Sequence, residues 1–391
     1  MTAARAGAPF VLVDAAAGLV PGGGIGRYVR DLAHALTSRP DAPRARFLVT
    51  RSMRPVARTR FRPEDTIELA LTWRQLAMAV MVGTTCGIPF DRLYGRPALV
   101  HSPLGYGPTF RDARLINHIH DLTCLDHPEW HTWRTRTLFR VAAPRAARAA
   151  DVVLTHSEFV RRQVVRRFHV PEARTEVIPP PLGHAFVPLP RPEAVAHVRR
   201  RFGLEGEFVL HVGTLEPRKN HVTLLAAFEH MRRAGFPGRL VLVGQDGWRF
   251  APIAARLAAS PVAADVLRVR DADDHDLAAL YGACTCSAFP SLAEGFGMPL
   301  LESLACGAAC VVSDDPVLLE LGQRECVAVP ATDTGALAEA LLRLWRDPDH
   351  RAAVAAGGPR RAEAYSFARW TERIFSLYRR LLAQPAGPAG T

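Results

Sequence analysis

Twice along the chain, short apolar runs alternate with stretches whose apolar residues recur at helical spacing, and this doubled alternation narrows the fold more than any other feature. In the first half the strand-like runs are residues 10–13, 47–50, 98–100, 114–119, 152–155 and 177–178; in the second they are 208–212, 240–243, 266–269 and a run ending at 288–290. Each is followed by a segment long enough to cross back over a sheet. The pattern therefore predicts an α/β chain of two doubly wound domains facing each other across a cleft. A length of 391 residues exceeds what one core usually supports and points the same way. Between the halves lie Pro179, Pro180 and Pro181, then Pro188, Pro190 and Pro192, which read as the linker.

In open α/β sheets ligand chemistry collects where strands hand over to loops, so polar residues there are the candidates. Residues 291–315, SLAEGFGMPLLESLACGAACVVSDD, follow the last clear strand. Glu294 and Glu302 flank a Gly-Phe-Gly turn and the first turn of a helix, an arrangement that suits a hydroxyl-rich ligand. The same residues also read as plain helix mechanics, with Pro299 in the first turn and Gly307 as the C-terminal cap. His101 and His120-Asp121 end two successive strands of the first half, where a pH-responsive donor or acceptor is as plausible as a structural one. The glycines at 22–24 lead into a helix whose apolar residues are Ile25, Tyr28, Val29, Leu32 and Leu36. That loop is either an anion site or a tight turn, and it matches neither GxGxxG nor a P-loop.

Charge is unevenly spread. Residues 1–200 hold 29 arginines against 16 acids, a balance of +13, whereas 201–391 hold 20 basic residues against 22 acids, a balance of −2. A basic first half attracts nucleic acid, an anionic membrane surface or a phosphorylated substrate. Its arginines are scattered among helices without interleaved aromatics, which argues against nucleic acid. Of the 49 basic residues only Lys219 is a lysine, so its place in the loop after residues 208–212 is informative. The seven cysteines form no CxxC pair and read as small apolar residues. No long apolar run and no signal peptide is evident, and a cytosolic protein is expected. The segment 73–82, WRQLAMAVMV, reads as a core helix, with an interfacial membrane helix as the alternative.

Five segments in order, GGGIGRYVRDLAHAL, the HDL at 120–122, THSEFVRRQV, HVGTLEPRKNHVTLLAAF and EGFGMPLLE, make the chain resemble the retaining glycosyltransferases of family 4, with the GT-B fold of two Rossmann-like domains. The resemblance implies an acceptor domain at 1–185, a nucleotide-sugar donor domain at 186–364, and a last helix and tail at 365–391 that cross back to the first domain. It implies that Arg218 and Lys219 hold the donor diphosphate, that Glu302 accepts hydrogen bonds from the ribose hydroxyls, and that Glu294 meets the donor sugar. The sugar is also expected to meet backbone N–H groups of Gly295, Phe296, Gly297 and Met298. Gly23 and Gly24 would close on phosphates and acceptor, and His120 would stand beside the reacting sugar carbon.

The reaction expected is transfer of a hexosyl group, of mannose or rhamnose type, to a saccharide or lipid-linked saccharide of surface polysaccharide assembly. A GDP-, UDP- or dTDP-sugar would be the co-substrate, without bound metal, since no DxD-type pair stands out. Attack and departure on one face of the sugar is favoured over a covalent intermediate at Glu294, because no second carboxyl at glycosidase spacing is evident. Glycosylation of a small secondary metabolite and a silent sugar-nucleotide binder are the alternatives. A peripheral position at the inner face of an anionic membrane fits the basic first half, and oligomeric state is open. Two positions depart from the family pattern: Pro179–Pro181 replace a PNG-type turn, and Arg270 replaces a glycine near the nucleobase, leaving the base open. The acids Asp271, Asp273, Asp274 and Asp276 read as a solvated helix start.

Overall fold

The structure, a computed structural model, describes residues 9–15, 19 and 24–384. Gly22 and Gly23, and the tail after Gln384, lie outside the described residues. The chain divides into two compact units, residues 1–181 with 368–391, and 182–367.

The first unit holds seven parallel strands, β1 (Val11–Asp14), β2 (Ala45–Thr50), β3 (Thr66–Leu69), β4 (Leu99–Ser102), β5 (Arg114–His118), β6 (Val152–Thr155) and β7 (Thr175–Val177). Their order is β3-β2-β1-β4-β5-β6-β7, so the winding reverses between β1 and β4. β3 was not legible in the sequence. Its four residues, TIEL, sit at the sheet edge, where a half-buried threonine and an exposed glutamate break the apolar run. The last helix, Phe367–Ala383, turns Trp370, Ile374, Phe375, Tyr378 and Leu381 inward. Tyr378 Oη meets His101 Nδ1 on β4 at 2.6 Å, and Arg39 pairs with Glu372 at 2.9 Å. From Ala368 onward the helix is thereby part of the first unit.

Six parallel strands make the second unit: β8 (Phe208–Val212), β9 (Arg239–Val243), β10 (Val266–Val269), β11 (Cys286–Phe289), β12 (Cys310–Ser313) and β13 (Val327–Val329). The order is β10-β9-β8-β11-β12-β13, with the reversal between β8 and β11. Alternate side chains go to opposite faces of the sheet. Leu210, Val241, Val243 and Val312 join one buried cluster, while Val209, Leu240, Leu242 and Val311 join the other. Both faces are covered, which is why these strands read as unbroken apolar runs.

Two sequence expectations change here. The prolines at 188–192 are not all linker: Pro190 is the N-cap and Pro192 lies in the first turn of a helix, Arg191–Phe202, that packs on helix Asp274–Ala283. Proline is well placed there, because its missing N–H would have no helical partner. The acidic run does begin a helix, capped by Asp273 and Asp276 in a reciprocal box, but Asp276 is buried rather than solvated. Its carboxylate takes a 2.7 Å contact from His197 Nε2 and lies 3.4 Å from Arg201, which together hold it below the usual carboxylate range against the opposing effect of burial.

Candidate active site

At the winding reversal of the second unit, the loops after β8 and β11 meet. The chain leaves β8 through residues 213–216, makes a short 3₁₀ turn at Pro217–Lys219, and enters helix His221–Arg233 through Asn220 in the left-handed region, φ 57°. Asn220 fixes this corner, since its side-chain amide donates to Pro290 O at 3.0 Å and Ala331 O at 2.8 Å. Leu292 N donates to Arg218 O at 2.8 Å, binding the β11 loop to the β8 loop. The two loops therefore form one rigid shelf.

On that shelf Glu294 is clamped between the two cations. Lys219 Nζ donates to Glu294 Oε1 and Arg218 Nη1 to Oε2, each at 2.6 Å. Arg218 is itself fixed by Glu216 Oε1, 3.0 Å from Nε and 2.8 Å from Nη2, and by Ala293 O at 2.9 Å. Glu216, Lys219 and Glu294 are all buried. Burial pushes the Glu294 carboxyl up, but the Arg218 and Lys219 charges more than offset it and hold it at about 2. Burial raises Glu216 despite the same cations. Two acids facing two cations leave the cluster near neutrality, which is how four charged groups persist in one buried place.

Behind Glu294 stands Asp315. Its Oδ2 accepts from Glu294 N at 3.3 Å, while Oδ1 accepts from Val317 N and Leu318 N at 3.0 Å, capping the next helix. Burial pushes its carboxyl up to about 6, with the Glu294 charge adding to the rise. Gly297 has φ 93° and caps helix Met298–Ala305. Phe296 turns its ring into the core beside Tyr365, 5.7 Å between centroids, so only its backbone is available to a ligand. Glu302 is buried on that helix and meets Tyr281 Oη at 3.4 Å. The structure thus brings Arg218, Lys219 and Glu294 into direct contact, with Gly295, Phe296, Gly297 and Met298 continuing the Glu294 loop into the helix that carries Glu302.

In the first unit His120 follows β5. Its Nε2 faces Pro103 O at 2.6 Å and its Nδ1 faces His156 Nε2 at 2.8 Å. His118 stacks on it, 4.3 Å between centroids and 16° between planes. Tyr28, from helix Gly24–Ser38, sets its ring edge-on to His118 at 4.6 Å. Asp121 Oδ1 accepts from Thr123 N and Oγ1, tying the HDL turn. His101 is fully buried between the hydroxyls of Tyr28 and Tyr378, which makes it a packing residue. Gly24 opens the helix with free space where a Cβ would stand.

The residues passed over in the sequence are Glu216, Asp315, His118 and His156. Glu216 and Asp315 adjoin recognised motifs, and an acid two residues from Arg218 was a usable signal. His118 and His156 are brought to His120 only by the pairing of β5 with β6.

Residues 22–183 match the family described as Glycosyltransferase Family 4, and residues 196–361 the family described as Glycosyl transferases group 1. Among curated proteins, the chain is 28% identical over 288 residues to O-antigen chain mannosyltransferase B of Escherichia coli, covering 72% of this chain and 74% of that one. Among solved structures, sucrose-phosphate synthase from Thermosynechococcus elongatus superposes with a TM-score of 0.73 at 22% identity, over 96% of this chain and all of the other. Anabaena HepE in complex with UDP-glucose gives 0.71 at 18% identity, over 95% and 99%.

Proposed function

The chain belongs to glycosyltransferase family 4, the group 1 glycosyltransferases, a retaining family, and from that premise we propose that it moves a hexosyl group of mannose or rhamnose type from a nucleoside diphosphate sugar to a saccharide or lipid-linked saccharide in surface polysaccharide assembly. The observation that carries this reading is the Arg218–Glu294–Lys219 clamp at the strand ends of the second unit. The mannosyl preference draws support from the O-antigen mannosyltransferase, and the nucleotide donor from HepE with UDP-glucose.

In this reading Lys219 and Arg218 meet the diphosphate. An ammonium keeps further N–H donors after serving one carboxylate oxygen, and a guanidinium held on both edges needs no reorganisation as leaving-group charge grows. Glu294 places the sugar hydroxyls rather than attacking carbon. Both its oxygens are engaged at 2.6 Å and its basicity is depressed, so it is a weak nucleophile. The leaving phosphate then takes the acceptor's proton, with attack on the face from which it departs. Glu302 holds the ribose, the Gly295–Met298 backbone and the Gly23–Gly24 loop hold sugar and phosphate, and His120 stands by the reacting carbon.

Calorimetry against GDP-, UDP- and dTDP-sugars, followed by transfer assays with the donor that binds, tests the proposal. Binding and turnover of a GDP- or dTDP-hexose support it; binding without turnover on any saccharide acceptor returns the chain to a sugar-nucleotide binder. Transfer is expected to survive EDTA, and loss restored by Mg²⁺ would overturn the metal-free part.

A further inference from the structure

Three imidazoles, His118, His120 and His156, lie with one ring nitrogen each within 4.8 Å of the others, among residues of the first unit. The hydrogen-bond chain through two of them is Pro103 C=O, His120, His156, Ile178 C=O, with contacts of 2.6, 2.8 and 3.1 Å. A carbonyl oxygen only accepts, so His120 Nε2 and His156 Nδ1 each carry a proton. The inner nitrogens, His120 Nδ1 and His156 Nε2, then face each other at 2.8 Å. Two lone pairs at that distance repel, and a cation must lie between them.

We propose that this cation is a proton, so that His156 is a positioning residue which orients the His120 ring and holds it as the hydrogen-bond-donating half of a singly charged imidazole–imidazolium pair. Three protons on four nitrogens satisfy every contact in the chain. A metal ion fits less well. His118 and His120 stack nearly parallel, so their in-plane lone pairs run side by side instead of converging. Two nitrogens on a tetrahedral zinc stand about 3.3 Å apart, from Zn–N bonds of about 2.0–2.1 Å, which exceeds the contact seen.

The surroundings decide what the extra proton costs. Burial pushes His120 down, and the Pro103 carbonyl and Asp121 raise it in return. Burial also lowers His156, His118 and His101, the last to about 3, and opposes the shared proton; His118, whose ring nitrogens meet no hydrogen-bond partner, and His101, between two tyrosine hydroxyls, have no facing imidazole nitrogen to share one and stand neutral. Tyr28 and Tyr378 have their phenols pushed far up by burial and stay protonated. Asp121 is the acid among the groups facing the pair, and its charge offsets the imidazolium. The neutral His118 ring stacks on His120, 4.3 Å between centroids, and meets His156 edge-on at 4.2 Å, so it packs against both members of the pair.

The consequence rests on the reading that His120 stands by the reacting sugar: with both N–H groups engaged by Pro103 O and His156, a protonated His120 offers the leaving group its positive charge and cannot act as a base. The test uses the full chain labelled with ¹⁵N-histidine. Imidazole ¹⁵N shifts are expected to show three protons on the His120–His156 pair at pH 7. His156→Leu is expected to lower the His120 midpoint by about one pH unit or more, with transfer rate falling and donor affinity unchanged. His156→Gln can accept from His120 Nδ1 and donate to Ile178 O, and it is expected to restore both. A pair holding only two protons across pH 6–8, or the same His120 midpoint in wild type and His156→Leu, overturns the proposal. So does stoichiometric Zn²⁺ binding lost in both His156→Leu and His118→Leu, which would put a metal in the proton's place. If the shared proton is present but His120→Ala transfers at the wild-type rate, the pair stands and the placement of His120 at the sugar falls.

Discussion

Glu294, in the loop after β11, and Asp315, after β12, touch through Glu294 N and respond to pH in opposite senses. Glu294 sits at about 2, below the usual carboxylate value of 4.5, so its contribution to stability is complete above about pH 4.5 and is lost as pH falls toward 2. Asp315 is raised from 3.8 to about 6, so ionising it opposes folding; stability is greatest below about pH 4 and is lost as pH rises toward 6. Each effect is on the order of 3 kcal/mol. Buried His101 and His211, lowered to about 3 and about 4, add stability as pH rises toward 6.5, so the Asp315 effect is read as a difference between variants. In thermal denaturation followed against pH, Asp315→Asn is expected to gain on the wild type as pH rises from about 4 to 6. A constant difference over that range would show that Asp315 ionises as freely folded as unfolded. The clamp also sets what substitution does to transfer. Lys219→Ala is expected to slow transfer by about 10²–10³-fold, the scale of one lost donor to developing charge. Glu294→Gln keeps an acceptor for sugar hydroxyls and is expected to retain substantial transfer. Complete loss in Glu294→Gln, with a glycosyl-enzyme trapped at Glu294 in the wild-type chain, would replace same-face transfer with a covalent route.

The loops that present these residues depend on backbone that only glycine takes easily. Gly244 follows β9 with φ 147°, and a Cβ there would stand 2.2 Å from Gly213 O and 3.3 Å from Thr214 N, at the root of the Arg218–Lys219 loop. No rotamer change relieves a clash with backbone. Gly297 has φ 93°, and its Cβ would meet Leu318 Cδ2 at 2.7 Å, an end of a side chain that can turn away. Gly297→Ala is therefore expected to cost about 1–3 kcal/mol, the strain of the positive φ alone, and Gly244→Ala more. Urea denaturation of the two variants checks the order, and equal costs would mean that the β8 loop gives way as readily as Leu318. Neither constraint was visible in the sequence, where Gly297 was marked for its backbone N–H and Gly244 only ended a strand. Most strands of both cores were visible, because burial on two faces leaves unbroken apolar runs; β3 and β13, at the sheet edges, were not. The site was half visible: motifs mark Arg218 and Lys219 after β8, and Glu294 and Glu302 after β11. Which of them touch is a property of strand order, β8 beside β11, and local pattern does not encode it. The same holds for His156, which reaches His120 because β6 pairs with β5, and for helix Arg191–Phe202, whose opening prolines resemble a linker until the N-terminal turn is seen.

Among the described residues, the two most exposed large apolar side chains, Trp133 and Met78, belong to the half that carries the charge excess. The first unit carries Met78, Val82 and Ile88 at and after helix Trp73–Cys86, and Trp133 at the start of helix Trp133–Ala149; they are 60, 47, 52 and 67% exposed. The two helices pack together, Met78 and Val82 are one turn apart on the same face, and Arg74, Arg134, Arg136 and Arg140 are exposed on the same pair. Helix Trp73–Cys86 buries Leu76 and Val80 and exposes the other side, so it serves the core and offers an apolar strip at once. No helix among the described residues is long and apolar enough to cross a membrane. Any lipid contact through these helices is therefore at the surface, and a lipid-linked acceptor would give it a purpose. Each basic side chain near an anionic bilayer contributes about 1 kcal/mol and is screened within a Debye length of about 10 Å at 0.1 M salt. The chain is expected to sediment with vesicles of equal parts phosphatidylcholine and phosphatidylglycerol at low salt, and much less at 0.5 M salt or with phosphatidylcholine alone. Trp133→Glu with Met78→Glu is expected to abolish sedimentation while transfer to a water-soluble acceptor continues, since neither residue lies in the donor loops. Equal sedimentation of wild type and double variant would move the contact elsewhere on the basic unit, and no sedimentation of the wild type at low salt would remove the membrane from the functional reading.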